Sequence, residues 1–202
     1  MRITHLFFDV GGVLGSPGWG TGDRALGVRH FGLDPVEFEH RHQSVVGAWE
    51  SGRITLDEYL DHTVFCAPRA FTREEYARFM LDRSTPQADA LAIARAAAAT
   101  GRYRLMTLNN ESEALNVHRL TLFGLVDIFD AFFSSCWLGV AKPAVRAYTL
   151  ALAFAQARPA ASVFIDDREE NLEPARALGM HTIHFTTAPE LRASLGALGV
   201  TL

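Results

Sequence analysis

The sequence predicts an α/β protein: three layers, with a parallel sheet between two layers of helices and a small helical cap inserted after the first strand. Three observations carry that expectation. Short apolar runs recur along the chain, and helical segments separate the later ones, as parallel strands joined by right-handed crossovers require. A long stretch of helical spacing, without a strand pattern, follows the first run. Several runs close on polar residues where a turn begins, and ligands of open parallel sheets bind at the carboxyl ends of the strands.

Taken in order, the first strand is Leu6–Asp9, three large apolar residues closing on a carboxylate. An apolar run of this kind suits a strand buried on both faces. The next strand is Arg104–Leu108, followed by Ala131–Ser134, Val163–Asp166 and a weaker fifth at His181–Phe185. Between them, Ala88–Thr100 is alanine-rich and ends at Gly101, a natural C-cap. Glu113–Phe123 spaces Leu115, Leu120 and Leu122 helically and stops before Gly124. Pro143–Ala157 opens with proline at a plausible first helical position, and Asn171–Leu178 ends at Gly179.

Residues 15–86 break this rhythm. Gly, Pro and Trp crowd Gly15–Gly22, and helices are expected at Pro35–Trp49, Leu56–Val64 and Thr72–Leu81. Asp34, Thr55 and Thr72 stand where N-caps belong. The simplest arrangement divides the chain into a core, 1–14 with 87–202, and a lid, 15–86, over the strand tips; the alternative makes these helices part of the core.

Composition narrows the function. The 202 residues carry a net charge of −4, and 49% are hydrophobic, which fits one α/β unit with a modest insertion. No dense Lys/Arg block points to nucleic acid. No run reaches the ~18 apolar residues of a membrane span, and nothing before Asp9 resembles a cleavable signal. Cys66 and Cys136 lie far apart without metal-ligand spacing and read as free thiols. A cytoplasmic location follows as the expectation.

The chemistry gathers at the strand tips. Asp9 is followed by Gly11-Gly12, which let the backbone turn sharply and approach a ligand. An Asp so presented can be a nucleophile, a metal ligand or both, or can simply cap a turn. Asn109-Asn110 end the second strand, Lys142 precedes a helix, and Asp166-Asp167 end the fourth strand. The asparagines alone could cap a helix, and Lys142 alone could be an exposed first-turn lysine. Adjacent buried carboxylates are harder to dismiss, since they repel and lose solvation unless a cation meets them. Ligands that are all oxygen, without His or Cys, point to Mg²⁺. Together these groups suit phosphoryl transfer: a cation and Lys142 on the phosphate, Asn109 and Asn110 donating hydrogen bonds to it, and Asp9 attacking phosphorus.

On these motifs the sequence resembles the haloacid dehalogenase superfamily, in the subgroup with a helical cap after the first strand of a Rossmann-like core. Phe7-Phe8-Asp9-Val10-Gly11-Gly12-Val13-Leu14 matches its first motif and Leu108-Asn109-Asn110 its second. Lys142-Pro143 with Tyr148 matches the third, and Val163–Asp167 through Asn171, with Ala175–Met180, the fourth. The resemblance implies that Asp9 is the nucleophile, and that Asp9, Asp167 and the backbone carbonyl of Gly11 hold Mg²⁺, with Asp166 an outer or alternative ligand. It implies a small phosphorylated metabolite as substrate, a sugar phosphate among the candidates.

Two departures stand out. The usual phosphatase pattern has a second Asp two places after the nucleophile, the general acid and base of the reaction; here that place is Gly11. Glu111, Glu50 and Asp57 are the acids that could replace it. Asn109 also stands in place of a hydroxyl residue, though it still donates. The absent acid opens two other functions. One is a metal-independent 2-haloacid dehalogenase, whose halide needs no proton but whose relatives lack the acidic fourth motif. The other is a phosphate- and metal-binding module without turnover. Within 15–86, Trp19, His40, Arg41, His42 and Trp49 are candidates to choose the substrate.

Overall fold

Five parallel strands form one sheet in the order β3-β2-β1-β4-β5. The computed structural model describes residues 2–202. The strands are β1 (His5–Phe8), β2 (Arg104–Asn109), β3 (Ala131–Ser134), β4 (Ser162–Asp166) and β5 (His181–His184). β1 lies at the centre, paired on both edges, and its Leu6, Phe7 and Phe8 are all fully buried. His5 pairs with Arg104 of β2 on one side and with Ser162 of β4 on the other, so the three strands start level; Phe8, the last residue of β1, stands beside Thr107 and Ile165, and β2 runs on to Asn109 and β4 to Asp166.

Strand alternation sorts the core into two clusters. Leu6 and Phe8 face one side, where α5 (Ala88–Ala99) brings Ala90, Ile93 and Ala94 and α10 (Ala188–Ala197) brings Leu191 and Leu195. Phe7, Met106 and Leu108 face the other, against α8 (Val145–Phe154) with Tyr148 and Ala151 and α9 (Glu169–Ala177) with Leu172 and Ala175. The three-layer arrangement and the five expected strands are thus present. Most expected boundaries hold within a residue or two.

One boundary differs for a reason. The helix expected from Pro143 begins at Val145. The Asn110 side chain holds the main chain of Lys142 through both its N–H and its C=O, each at 2.8 Å, and the N–H of Ala144 turns back to Ala141 O. Residues 141–144 are therefore committed to a turn. Three helices lie outside the sequence expectation: α1 (Thr21–Phe31), the short α7 (Ser135–Leu138) and α10.

Between Leu14 and Arg104 the described residues form no strand; Gly15 makes isolated bridges to Gly11 and Pro86. Instead α1, α2 (Pro35–Glu50), α3 (Leu56–Thr63) and α4 (Arg73–Leu81) pack around a third apolar cluster built on Trp19, Phe38, Trp49, Tyr59, Tyr76 and Met80. Leu115 of α6 (Glu113–Leu122) joins it from below. The expected caps form: Asp34 accepts from the N–H groups of Val36 and Glu37, and Thr55–Glu58 and Thr72–Glu75 close capping boxes. No helix among the described residues is long and apolar enough to cross a membrane. Both cysteines are free thiols.

Candidate functional site

A cavity of about 290 Å³ opens where the tips of β1, β2 and β4 meet α1 and α2. Asp9, Gly11, Asn110, Glu111, Lys142, Asp167 and Arg168 form its floor. Trp19, Arg24, His42, Trp49 and Glu50 come from the opposite wall.

Lys142 organises the floor. Its side chain is 1% exposed, and the ammonium lies 2.6 Å from Asp166 Oδ2 and 3.0 Å from Asp9 Oδ1 and sits over the Phe164 ring, 5.2 Å from its centroid. Burial works against its charge, but Asp9 and Asp166 outweigh burial and hold its proton above the usual lysine range. Asp166 is fully engaged: Asn171 donates to both of its oxygens, at 3.0 and 3.2 Å, and the Arg168 N–H donates at 2.9 Å. The Tyr148 hydroxyl in turn holds the carbonyl of Asn171 at 2.6 Å. Asp166 is thus occupied in placing Lys142 and Asn171.

Asp9 and Asp167 keep free oxygens. Asp9 Oδ1 accepts from the Val10 N–H at 2.7 Å and faces Lys142, while no hydrogen bond from the described residues reaches Oδ2. Burial, with Asp166 adding to it, pushes the Asp9 carboxyl up to about 7 although Lys142 pulls the other way. Burial and Asp166 also raise Asp167. Asp167 Oδ1 is buried and meets no hydrogen-bond partner among the described residues. Oxygens of Asp9, Asp166 and Asp167 lie within 4.8 Å of one another. An orphaned carboxylate oxygen beside two further carboxylates fits a hard divalent cation held by oxygen alone, and Mg²⁺ suits that donor set.

Gly12 shows how tightly this corner is built. It has φ +82°, and a Cβ there would stand 2.2 Å from Asp167 Oδ2. Only glycine fits both the backbone and the carboxylate. Gly12→Ala is expected to displace Asp167 and to abolish any rise in melting temperature on adding Mg²⁺; thermal unfolding with and without the metal reads it. Gly11 is a different case. A Cβ there would meet the Pro17 carbonyl oxygen at 3.3 Å, tight but not barred.

The two asparagines part company. Asn110 lines the cavity and braces Lys142. Asn109 is buried behind it, its amide group donating to Asn116 Oδ1 at 3.2 Å and to Ser134 Oγ at 3.3 Å. Of the acids that could replace the one absent at Gly11, Glu50 and Glu111 line the cavity, whereas Asp57 is exposed and outside it. Burial, with Glu50 adding to it, pushes Glu111 up to about 7, opposed by Arg119 at 3.4 Å. His42, Trp19 and Trp49 also reach the cavity; His40 and Arg41 do not.

Pro17, Gly20, Thr21, Arg24 and Arg168 also line the cavity and escaped sequence reasoning. Arg24 is held by Glu39 (2.8 and 2.9 Å) and by the Trp19 carbonyl (2.9 Å). Only the approach of α2 to α1 brings Glu39 to it, and nothing in the local sequence announces that. Arg168 directly follows Asp167, and its adjacency was the available signal.

A profile of haloacid dehalogenase-like hydrolases matches residues 3–179. The chain belongs to that family. Among curated relatives, this hydrolase is 39% identical over 72 residues to acyl-CoA dehydrogenase family member 10 of Mus musculus. It is 36% identical over 74 residues to a sesquiterpene phosphatase of Aspergillus oryzae. The matches cover 34% and 35% of this hydrolase but only 7% and 38% of those proteins. In fold, the hydrolase resembles a HAD family enzyme from Bacteroides thetaiotaomicron solved with magnesium and inorganic phosphate. That likeness has a TM-score of 0.79 at 20% identity, over 91% of this chain and 94% of the other.

Proposed function

We propose that this hydrolase is a Mg²⁺-dependent phosphatase of a small phosphorylated metabolite, working through an aspartyl-phosphate on Asp9. The observation that carries the reading is the orphaned Oδ1 of Asp167, buried beside Asp9 and Asp166. Asp9, Asp167 and the Gly11 carbonyl would hold the ion, with Asp166 behind them. Bound there, Mg²⁺ would neutralise charge on the phosphoryl group. The similar Bacteroides enzyme, solved with magnesium and phosphate, and the similar Aspergillus phosphatase support the reading.

Each residue then has its task. Lys142 lies against Asp9 Oδ1 and offers its positive charge to the phosphate. Asp9 Oδ2 forms the bond to phosphorus as the bond to the leaving oxygen breaks; water then attacks phosphorus and frees Asp9. Asn110 keeps Lys142 in register. Residues 15–86 act as the cap, closing the cavity with Trp19, Trp49, His42 and Arg24. Their mixture of aromatic faces, carboxylates and arginine suits a polar, hydroxyl-bearing metabolite such as a sugar phosphate.

The test is phosphate release from a panel of phosphorylated metabolites with Mg²⁺ present. At least one member is expected to turn over, and a chelator to stop it. Gly11 favours one rival reading, because a halide leaves without a proton. Chloride release from a 2-haloacid that a chelator does not affect would establish that rival instead.

A further inference from the structure

The displacement at phosphorus places the departing oxygen opposite the attacking carboxylate. Asp9 rises from the sheet, so the departing oxygen faces the wall made by α1 and α2. A proton donor for it must come from that wall, since Gly11 has none to give.

Few wall residues could serve. Arg24 is committed to Glu39 and to the Trp19 carbonyl. His42 has Nδ1 2.8 Å from the Tyr59 hydroxyl, and burial, helped by Arg24, pushes it down to about 4, so it is neutral when the reaction runs. Glu111 sits on the floor, its carboxylate taken by the Ser112 N–H at 3.1 Å and by Arg119. Glu50 remains. Its side chain lines the cavity and makes no hydrogen bond or ion pair with the described residues.

Its backbone, by contrast, is pinned. The Ser135 hydroxyl donates to the Glu50 carbonyl at 2.6 Å while accepting from the Glu111 N–H at 3.0 Å, tying the end of α2 to the core. Two residues on, Gly52 has φ +69°, and a Cβ there would lie 2.1 Å from the Cys136 carbonyl oxygen. Trp49, immediately before, stacks on Tyr59 with centroids 3.9 Å apart. An unpaired carboxyl on so fixed a backbone is placed for use rather than for holding the fold.

We propose that Glu50 supplies the acid–base function missing at Gly11: it protonates the leaving oxygen and then takes a proton from the attacking water. The inference rests on the phosphatase reading. As the Asp9–phosphorus bond forms, the bond to the leaving oxygen breaks and the Glu50 proton passes to that oxygen. An alcohol departs. Water enters the vacated side, gives one proton to the Glu50 carboxylate and attacks phosphorus; the Asp9–phosphorus bond breaks and phosphate leaves. The groups facing Glu50 are Arg168 on the floor, Arg24 on α1 and Glu111 across the cavity. Burial raises its proton affinity above the ordinary carboxylate range, against the pull of both arginines.

The test compares an alkyl phosphate, whose leaving oxygen needs a proton, with p-nitrophenyl phosphate, whose leaving oxygen does not. Glu50→Gln is expected to lower kcat on the alkyl ester by about 10²-fold or more. On the aryl ester it should leave the first release of nitrophenolate intact, stall afterwards, and accumulate protein carrying one extra phosphoryl mass. Glu50→Ala should behave alike, and both should melt as the wild type does. Equal losses on both esters without phosphoprotein, no loss on either, or the same pattern in Glu111→Gln but not Glu50→Gln would each overturn the assignment. A wild type that neither releases phosphate nor gains phosphoryl mass fails the phosphatase reading itself, and the role of Glu50 falls with it.

Discussion

Asp9→Asn is expected to abolish turnover, by on the order of 10⁴-fold or more, because an amide oxygen cannot form the acyl phosphate. The substitution is nearly isosteric. The Asn oxygen can still accept from the Val10 N–H, as Asp9 Oδ1 does at 2.7 Å, and Lys142 retains Asp166 at 2.6 Å. Burial already disfavours the charged form of Asp9, so a neutral amide removes a desolvation cost and stability should not fall. Lost phosphate release, an unchanged melting temperature and no phosphoryl mass on the intact protein form the expected set of results. Turnover that survives the substitution would remove Asp9 from the nucleophile's place.

Lys142→Met is expected to destabilise the apo protein by about 3–5 kcal/mol, the range for breaking a buried ion pair from one side. The side chain is only 1% exposed and is the only cation the described residues bring within ion-pair distance of both Asp9 and Asp166. Without it two buried carboxylates face each other with only Asn171, the Val10 N–H and the Arg168 N–H to balance them. A divalent cation would restore that balance. The variant should therefore gain more in melting temperature from added Mg²⁺ than the wild type does, since ligand binding to the folded state alone stabilises it. Phosphate release should meanwhile drop by roughly 10²–10³-fold, the loss typical of one charge-stabilising group. A variant that melts like the wild type without metal would mean that Lys142 does not neutralise the pair.

The sheet was largely legible because parallel strands are buried on both faces. Leu6-Phe7-Phe8 and Val163-Phe164-Ile165 have no polar face to obscure them, and each closes on the residue that the turn delivers. Helix α1 was not legible. It carries Gly22 and Gly27 and buries Arg24 beside Gly27 and Val28, so its inward face does not read as an apolar stripe. The burial of Arg24 makes sense only once Glu39 arrives from α2. Adjacent asparagines were equally opaque. Asn109 still belongs to the strand and points into the core, whereas Asn110 has left it and turns to Lys142. The sequence marks both as polar residues at one tip and carries no sign of the division. Glu50 and Glu111 could be named as acids, but their arrival in one cavity depends on the Ser135 tether, a contact between segments 85 residues apart.

The central position of β1 also bears on how the protein is made. Its partners begin at Arg104 and Ser162, so both of its pairings close very long loops, and the entropy of closing them must be met before the contacts repay it. Of the five strands β1 is synthesised first, and its β4-facing edge has no partner until Ser162–Asp166 is synthesised. Until then Leu6, Phe7 and Phe8 lack half of their sheet, and Asp9 has neither Lys142 nor Asp167 beside it. The carboxylates that repel one another are thus assembled late in synthesis, when Lys142 is already available to stand between them.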